Sequence, residues 1–377
     1  VTHGLGQQDV KLANERLVLN YVRLHPGVGR RAVAEATGLA PASLTAIVQR
    51  LSAHGLIREG GAQALGRGRP VEPLHLRPEA RSVIGVEITT QAAAIARAHL
   101  DGAIVSHRVV AAPRSAAQYL ERIHGAIRDS CAGGVMAVAV SVPGNLDPKT
   151  GVVTHATNLR WHRLDVIERI RRQLNVPFFW ENNSNLAAWG ERWFASEPLD
   201  DYVFITLRDG LGTGLLFQGR IWSGAHFRAG EFGHWPLVPR GRACPCGRRG
   251  CWERYASDAG LRAEYGPAAD SLAIAQAALD GDRQAQRALD RTVAHLAAGL
   301  GPVIIGLDPA GVIFDDFAAV AWARVEPQLW RHLRRQVPAA WLHGVELRPA
   351  RQAAGSALCG AIALALSRYF EGETGGW

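Results

Sequence analysis

The stretch GEFGHWPLVPRGRACPCGRRGCWERYAS, residues 230–257, constrains this chain more than any other. It places His234, Cys244, Cys246 and Cys251 within eighteen residues. That is the number and type of donors that close a tetrahedral zinc site. Gly247 and Gly250 let the backbone turn about a small ion. With all four positions taken by protein, none is left for an activated water. The expected Zn2+ is therefore structural, ordering a loop that would otherwise be loose. A reactive thiol cluster is the other chemistry open to such a loop. The chain has five cysteines, and the clustering of three of them argues against a disulfide framework. Glu231 and Glu253 flank the donors, so the ion would also fix two carboxylates in space.

A loop of this kind needs a folded body to be pinned to. The chain is 377 residues long, 47% hydrophobic and 20% charged, a globular balance with room for two or three domains of about 100–200 residues each. No apolar run approaches the ~18–20 residues of a membrane span, and the start, VTHGLGQQDVKL, lacks the layout of a signal peptide. The expectation is a cytoplasmic protein with no membrane partner. The net charge is +8, and residues 1–78 supply +5 of it, with ten Lys or Arg against five Asp or Glu. A basic patch confined to one end points to a polyanion there.

That end reads as a DNA-binding module. Residues 10–24 place Leu12, Leu17, Val18, Tyr21 and Val22 near one helical face, and His25-Pro26-Gly27 breaks the helix. RRAVAEATGLAPASLTAIVQRLSAHGLI then fits a helix-turn-helix. Ala34 is small where the helices cross, and Gly38 sits where the turn needs positive φ. Val33, Leu39, Leu44, Ile47 and Val48 fill the core, and Pro41 opens the second helix, which runs to about His54. The opposite face shows Ala42, Ser43, Thr45, Ala46, Gln49 and Arg50, a surface able to enter a major groove. Gln49 can read adenine there, and Arg50 can hold phosphate or guanine. Leu56-Ile57-Arg58 and Pro73 to Leu76 read as two strands of a wing. Its GRGRP tip, Gly66 to Pro70, carries Arg67 and Arg69 toward a minor groove.

From residue 80 the texture becomes alternating strands and helices. SVIGVEI, AAIARAHLD and SHRVVA read as a meander, QYLERIHGAIRDS as a helix and VMAVAVSVPG as a buried strand entering a Gly turn. VPFFWENNSNLAAWGERW is a strand feeding a helix, and DYVFITLRDGLGTGLLFQG is two strands around a Gly-rich turn. Residues from about 271 to 305 are helical, ending at Pro302. VIFDDFAAVAWARV is strand-turn-helix, and a last helix spans about 354–370. Two α/β lobes with a cleft between them are expected.

On these residues the chain resembles the ROK family (repressors, open reading frames, kinases). The resemblance spans nearly the whole chain, and its most specific mark is the intact GEFGH…CxCGxxGCWE block. It implies an actin- and hexokinase-like pair of α/β lobes closing on a sugar, behind an N-terminal winged helix-turn-helix. The implied division is 1–78 for DNA binding and 79–377 for the ROK domain. Within the latter, a small lobe covers about 79–188 plus the C-terminal helix, and a large lobe covers about 189–355 with the zinc loop at 231–253. The family's sugar-holding positions carry over to Asn158 in TNLRW, Asn182 and Asn183 in ENNSN, and Glu231, His234 and Glu253. Gly144 and Asn145, in the VPGN turn, should line the same pocket. Neighbouring hydroxyls donate and accept at once, so carboxylates and amides are their natural partners.

The sequence departs from the family's kinases at three places. Where D-I-G-G-T-K would cradle phosphate, the chain has Ile88-Thr89-Thr90-Gln91. The base of E-N-D-A-N becomes Asn183, whose amide accepts no proton at neutral pH. The Gly-Gly turn on the adenosine side becomes Asp315-Asp316, which would repel phosphate. Only GLGTG, Gly210 to Gly214, survives as a Gly-rich turn. The expectation is a non-enzymatic, sugar-responsive transcriptional regulator, a repressor, with an inactive kinase-like effector domain. Its partners would be operator DNA, as double helix, and a sugar or sugar phosphate, with the protein a homodimer or homotetramer. The rival readings are an active ROK sugar kinase fused to a DNA-binding module, and a regulator controlled by zinc or oxidation.

Overall fold

The helical periodicity at the start of the chain produces a helix over Gln7–Leu24 in the computed structural model, which describes residues 7–61, 72–208, 210–351 and 355–372. Its buried stripe is Val18, Leu19 and Val22, whereas Leu17 faces solvent. The expected face is thus rotated: Leu19 takes the inward place assigned to Leu17. Helices Arg30–Thr37 and Pro41–Ala53 follow. Gly38 ends the first of these at φ +70, a conformation that penalises any side chain. Strands Ile57–Glu59 and Pro73–Leu76 pair antiparallel as the wing, and a two-residue strand, Val28–Gly29, adds a third member on the far edge. The wing tip, including Gly66 to Pro70, lies outside the described residues.

The body holds two five-stranded sheets of matching design. In the first, Ser82–Ile88, Ala92–His99 and Ile104–Ala111 form the antiparallel meander, and Val135–Val142 and Phe178–Asn182 extend it in parallel. In the second, Tyr202–Thr206, Gly212–Phe217 and Arg220–Ile221 form the antiparallel part, and Gly311–Phe314 and Glu346–Pro349 the parallel part. A small third sheet, Asn145–Leu146, Val152–Ala156 and Trp161–Asp165, leans over the cleft side of the first. Helix Arg283–Leu307 runs through Pro302 instead of stopping there. Val303 and Ile304 beyond the proline are buried in the second lobe, and that burial outweighs the missing hydrogen bond. This helix is long and apolar enough to cross a membrane, but 56% of its most apolar window is buried within the lobe.

Two helices cross at the junction of the lobes: Asn183–Trp193, leaving the first sheet, and the C-terminal Ser356–Glu371. Their backbones touch because glycines meet at the crossing. A Cβ on Gly360 would lie 1.8 Å from the carbonyl oxygen of Leu186, and one on Gly190 would lie 2.7 Å from the amide nitrogen of Gly360. The winged module does not hang from a linker. Val18, Leu44, Val48 and Leu74 belong to the same hydrophobic core as Val83 and Ala96 of the first sheet and Leu358 and Ile362 of the C-terminal helix.

Gly360→Ala therefore forces two helix backbones apart, and overpacking of this kind costs about 1–3 kcal/mol. Urea denaturation should show that loss of stability; an unchanged midpoint would contradict the crossing described here.

Candidate metal centre and ligand cleft

The expected metal donors converge. The ligand atoms of His234, Cys244, Cys246 and Cys251 all lie within 4.8 Å of one another. Cys244 Sγ is 3.7 Å from His234 Nδ1, and Cys246 Sγ is 3.7 Å from Cys251 Sγ. Bonds of about 2.0–2.3 Å to a tetrahedral ion give donor–donor separations of about 3.4–3.8 Å, so the residues fit zinc. Gly247 at φ +89 and Gly250 at φ +80 make the turns. A Cβ on Gly250 would also fall 1.8 Å from the carbonyl oxygen of Val238. Burial pushes the Cys244 and Cys251 thiols above their ordinary range. Cys244 Sγ donates to Glu253 Oε1 at 2.8 Å, a proton that an ion would displace.

Beside this cluster lies a cleft of about 710 Å³ between the lobes. Gly144, Asn145, Asn158, Asn182, Asn183, Glu231, His234 and Glu253 all line it. They arrive from several pieces of local structure. Glu231 and His234 sit on the short 3-10 turn Glu231–His234, and Glu253 opens a helical turn directly after the last cysteine. His234 Nδ1 faces Cys244, while its Nε2 is 3.9 Å from Glu231 Oε2. Burial raises the Glu231 carboxyl above the usual range, opposed by His234 and reinforced by Glu253. Glu253 Oε2 and Asn158 Nδ2 lie 2.9 and 3.4 Å from the place a Cβ on Gly210 would occupy.

Asn182 works chiefly as a brace. Its Oδ1 accepts from the backbone N–H groups of Ser184 (2.8 Å) and Asn185 (3.3 Å), capping the helix, and its Nδ2 donates to the Gly144 carbonyl at 3.0 Å. Sequence reasoning passed over Glu181, which lines the same cleft. Its Oε1 accepts from Asn182 N (2.8 Å) and Asn185 Nδ2 (3.1 Å), and burial raises its carboxyl above the usual range. A carboxylate near the end of an apolar, half-buried strand was the available signal. His155, also on the wall, was equally unmarked.

The other half of the cleft is occupied by protein interactions. Thr89 Oγ1 accepts from Gln91 N (3.3 Å) and Ala92 N (3.1 Å), so a hairpin consumes amides that a phosphate turn would present. Gly212 and Gly214 are strand residues, not a turn. A Cβ on either would lie 2.1 Å from Ser184, at its Oγ and its carbonyl oxygen respectively. Close helix–strand packing accounts for both glycines. Asp316 stands at φ +56, and its carboxylate accepts from Leu207 N (2.8 Å) and Arg208 Nε (3.0 Å). Arg208 also lies 3.9 Å from Glu87 on the first lobe, forming a clasp across the cleft. Asp315 is 3% exposed, and burial beside Asp316 pushes its carboxyl up to about 8.

On the second helix of the helix-turn-helix, Ser43, Thr45 and Gln49 are exposed. Arg50, expected at phosphate or guanine, also has a partner within the protein: its Nε donates to Glu15 Oε1 at 2.5 Å, and the Glu15 side chain is 3% exposed. A buried carboxylate thirty-five residues upstream claims this guanidinium. Arg67 and Arg69 lie outside the described residues.

The ROK family profile matches residues 83–368. The xylose repressor of Bacillus subtilis (strain 168) is 29% identical over 264 residues, 68% of this chain and 68% of that protein. The DNA-binding transcriptional dual regulator NagC of Escherichia coli (strain K12) is 26% identical over 265 residues, 67% of this chain and 64% of that protein. Among solved structures, a ROK family transcriptional regulator described as a homolog of the E. coli MLC protein superposes with a TM-score of 0.81 at 24% identity. The match covers 96% of this chain and 97% of that one, a likeness of fold. A ROK family glucokinase from Streptomyces griseus, in complex with glucose and AMPPNP, gives a TM-score of 0.68 at 29% identity, over 76% of this chain and 99% of that one.

Elemental analysis of the purified chain should find one zinc per chain. Stripping it with a chelator should lower the melting temperature by several degrees, and Cys251→Ser should bind no zinc. A melting temperature indifferent to metal would contradict a loop ordered by the ion.

Proposed function

The chain belongs to the ROK family, and on that premise we propose that it is a sugar-responsive, DNA-binding transcriptional regulator of the repressor kind. One observation carries the reading: a polar cleft suited to hydroxyls opens between two lobes, and a winged helix-turn-helix shares one continuous hydrophobic core with the first sheet and the C-terminal helix of that body. Residues 1–78 are assigned to operator DNA and 79–377 to the effector, divided into the two lobes and the zinc loop. The names of the relatives, a xylose repressor and the regulator NagC, support the same assignment.

In this proposal Asn158, Asn183, Glu231, His234 and Glu253 bind the sugar hydroxyls, while Gly144, Asn145 and Asn182 shape the wall. Carboxylates here accept from hydroxyls, and the amides both donate and accept. Groups left unpaired by a wrong ligand exact a penalty, which gives discrimination. Zn2+, held by His234 Nδ1 and the three thiolates, would supply rigidity to the loop bearing Glu231 and Glu253. The closed donor set favours this structural role over zinc sensing. Ser43, Thr45 and Gln49 would face bases, with Arg67 and Arg69 at the minor groove. Two copies would place two such helices on half-sites about one helical turn, or a multiple, apart.

We assign no phosphoryl transfer to the cleft. Asn183 stands at the position of the base, and Glu181 is tied to the backbone and to Asn185. The amides near Thr89 are already bonded, and the Arg208 clasp fills the nucleotide side with its own ion pairs. Loss of a base alone slows such a reaction by about 10²–10⁴.

Calorimetry against D-xylose, D-glucose, N-acetylglucosamine and the 6-phosphates of the two hexoses should find a ligand that binds one per chain. Glu231→Gln should weaken that ligand by about tenfold or more, the scale of one charged hydrogen bond. In a coupled ADP-release assay the same sugars should give no turnover with ATP. Turnover that Asn183→Ala abolishes would overturn the non-enzymatic reading.

A further inference from the structure

The helix Asn183–Trp193 touches the cleft at one end and the DNA-binding module at the other. At its start, Asn182 caps it while donating to the Gly144 carbonyl at 3.0 Å, and Asn183 lines the cavity. Its last residue, Trp193, offers its ring to Arg23, whose guanidinium carbon is 4.5 Å from the ring centroid. The same guanidinium lies 5.0 Å from the Phe370 ring of the C-terminal helix. Arg23 thus sits between aromatic rings from the two helices that cross at the lobe junction. It belongs to the last turn of the first helix, and its Nε donates to Asn20 Oδ1 at 3.0 Å. Burial lowers its pKa to about 10, as expected where rings replace water. Earlier on that helix, the buried Glu15 holds Arg50 of the DNA-reading helix.

These contacts form a connected series of stiff parts. An eleven-residue helix is about 16 Å long at ~1.5 Å per residue, and close-packed interfaces pass on displacement instead of absorbing it. A stacked guanidinium suits such a joint, because its plane resists tilting against the ring while its charge holds it there. In the series, the Glu15–Arg50 ion pair ties the helix Pro41–Ala53 to the first helix.

We propose that Arg23 is the positioning residue that couples the cleft to the DNA-reading helix, with Asn183–Trp193 as the lever and Glu15–Arg50 as the final link. This rests on the reading of the cleft as an effector site. Hydrogen exchange on the full-length, zinc-loaded protein, with and without D-xylose, D-glucose or N-acetylglucosamine, tests it. In the wild type, the sugar that binds should alter amide protection in 183–193 and also in 41–53. Arg23→Ala should keep its sugar affinity within about threefold and keep the change in 183–193, yet lose the change in 41–53. Arg23→Lys, which retains charge without a planar group, should lose most of it, and Trp193→Leu should behave like Arg23→Ala. Melting curves establish that each variant is folded. A change in 41–53 that persists in folded Arg23→Ala and Trp193→Leu overturns the route, as does a wild type that binds sugar without any change there. A wild type that binds no sugar of any kind removes the effector reading, and this proposal with it.

Discussion

Four donor atoms held within 4.8 Å are the constraint from which the cleft derives its shape. The loop that carries them has little regular structure, with isolated bridges at Pro236–Cys251 and Ala243–Arg249 and glycine turns between. Such a loop resists the entropy of an open chain only if something gathers its side chains. Because Glu231 and His234 share one 3-10 turn and Glu253 follows Cys251 closely, gathering the donors also aims the carboxylates. Rigidity and recognition are therefore properties of the same twenty-odd residues.

The two halves of the cleft have different fates. On the metal side, amides and carboxylates face open space. On the far side, Thr89 bonds within its own hairpin, Arg208 pairs with Asp316, and Arg208 reaches Glu87 across the lobes. Groups that satisfy each other in this way have less to offer a triphosphate, and displacing them would expose buried charge.

Much of this was legible from residue patterns. Gly38 punctuated the helix-turn-helix, apolar runs marked most strands of both sheets, though not Glu346–Pro349, and the Cys spacing marked the loop whose donors converge. What escaped did so for physical reasons. Glu15 and Arg50 are thirty-five residues apart, and no local periodicity announces a buried ion pair. Leu17 and Leu19 are equally apolar, so only the partner surface decides which turns inward. Pro302 signals a helix end, but burial of Val303 and Ile304 carries the helix onward. Gly212 and Gly214 looked like part of a Gly-rich turn between strands, and it took the proximity of Ser184 to show that they are thin spots in a strand. Asn182 looked like a ligand contact, and its capping geometry gives it a bracing task as well.

The account stands on a thermodynamic link between the cleft and the winged module, and such a link is reciprocal. The most direct measurement is the sugar's dissociation constant determined by calorimetry twice, on the free protein and on protein saturated with DNA from upstream of its own coding sequence. The account predicts that DNA shifts the sugar affinity by about 5–150-fold, the range of a coupling of roughly 1–3 kcal/mol. Equal affinities in the two titrations would contradict it.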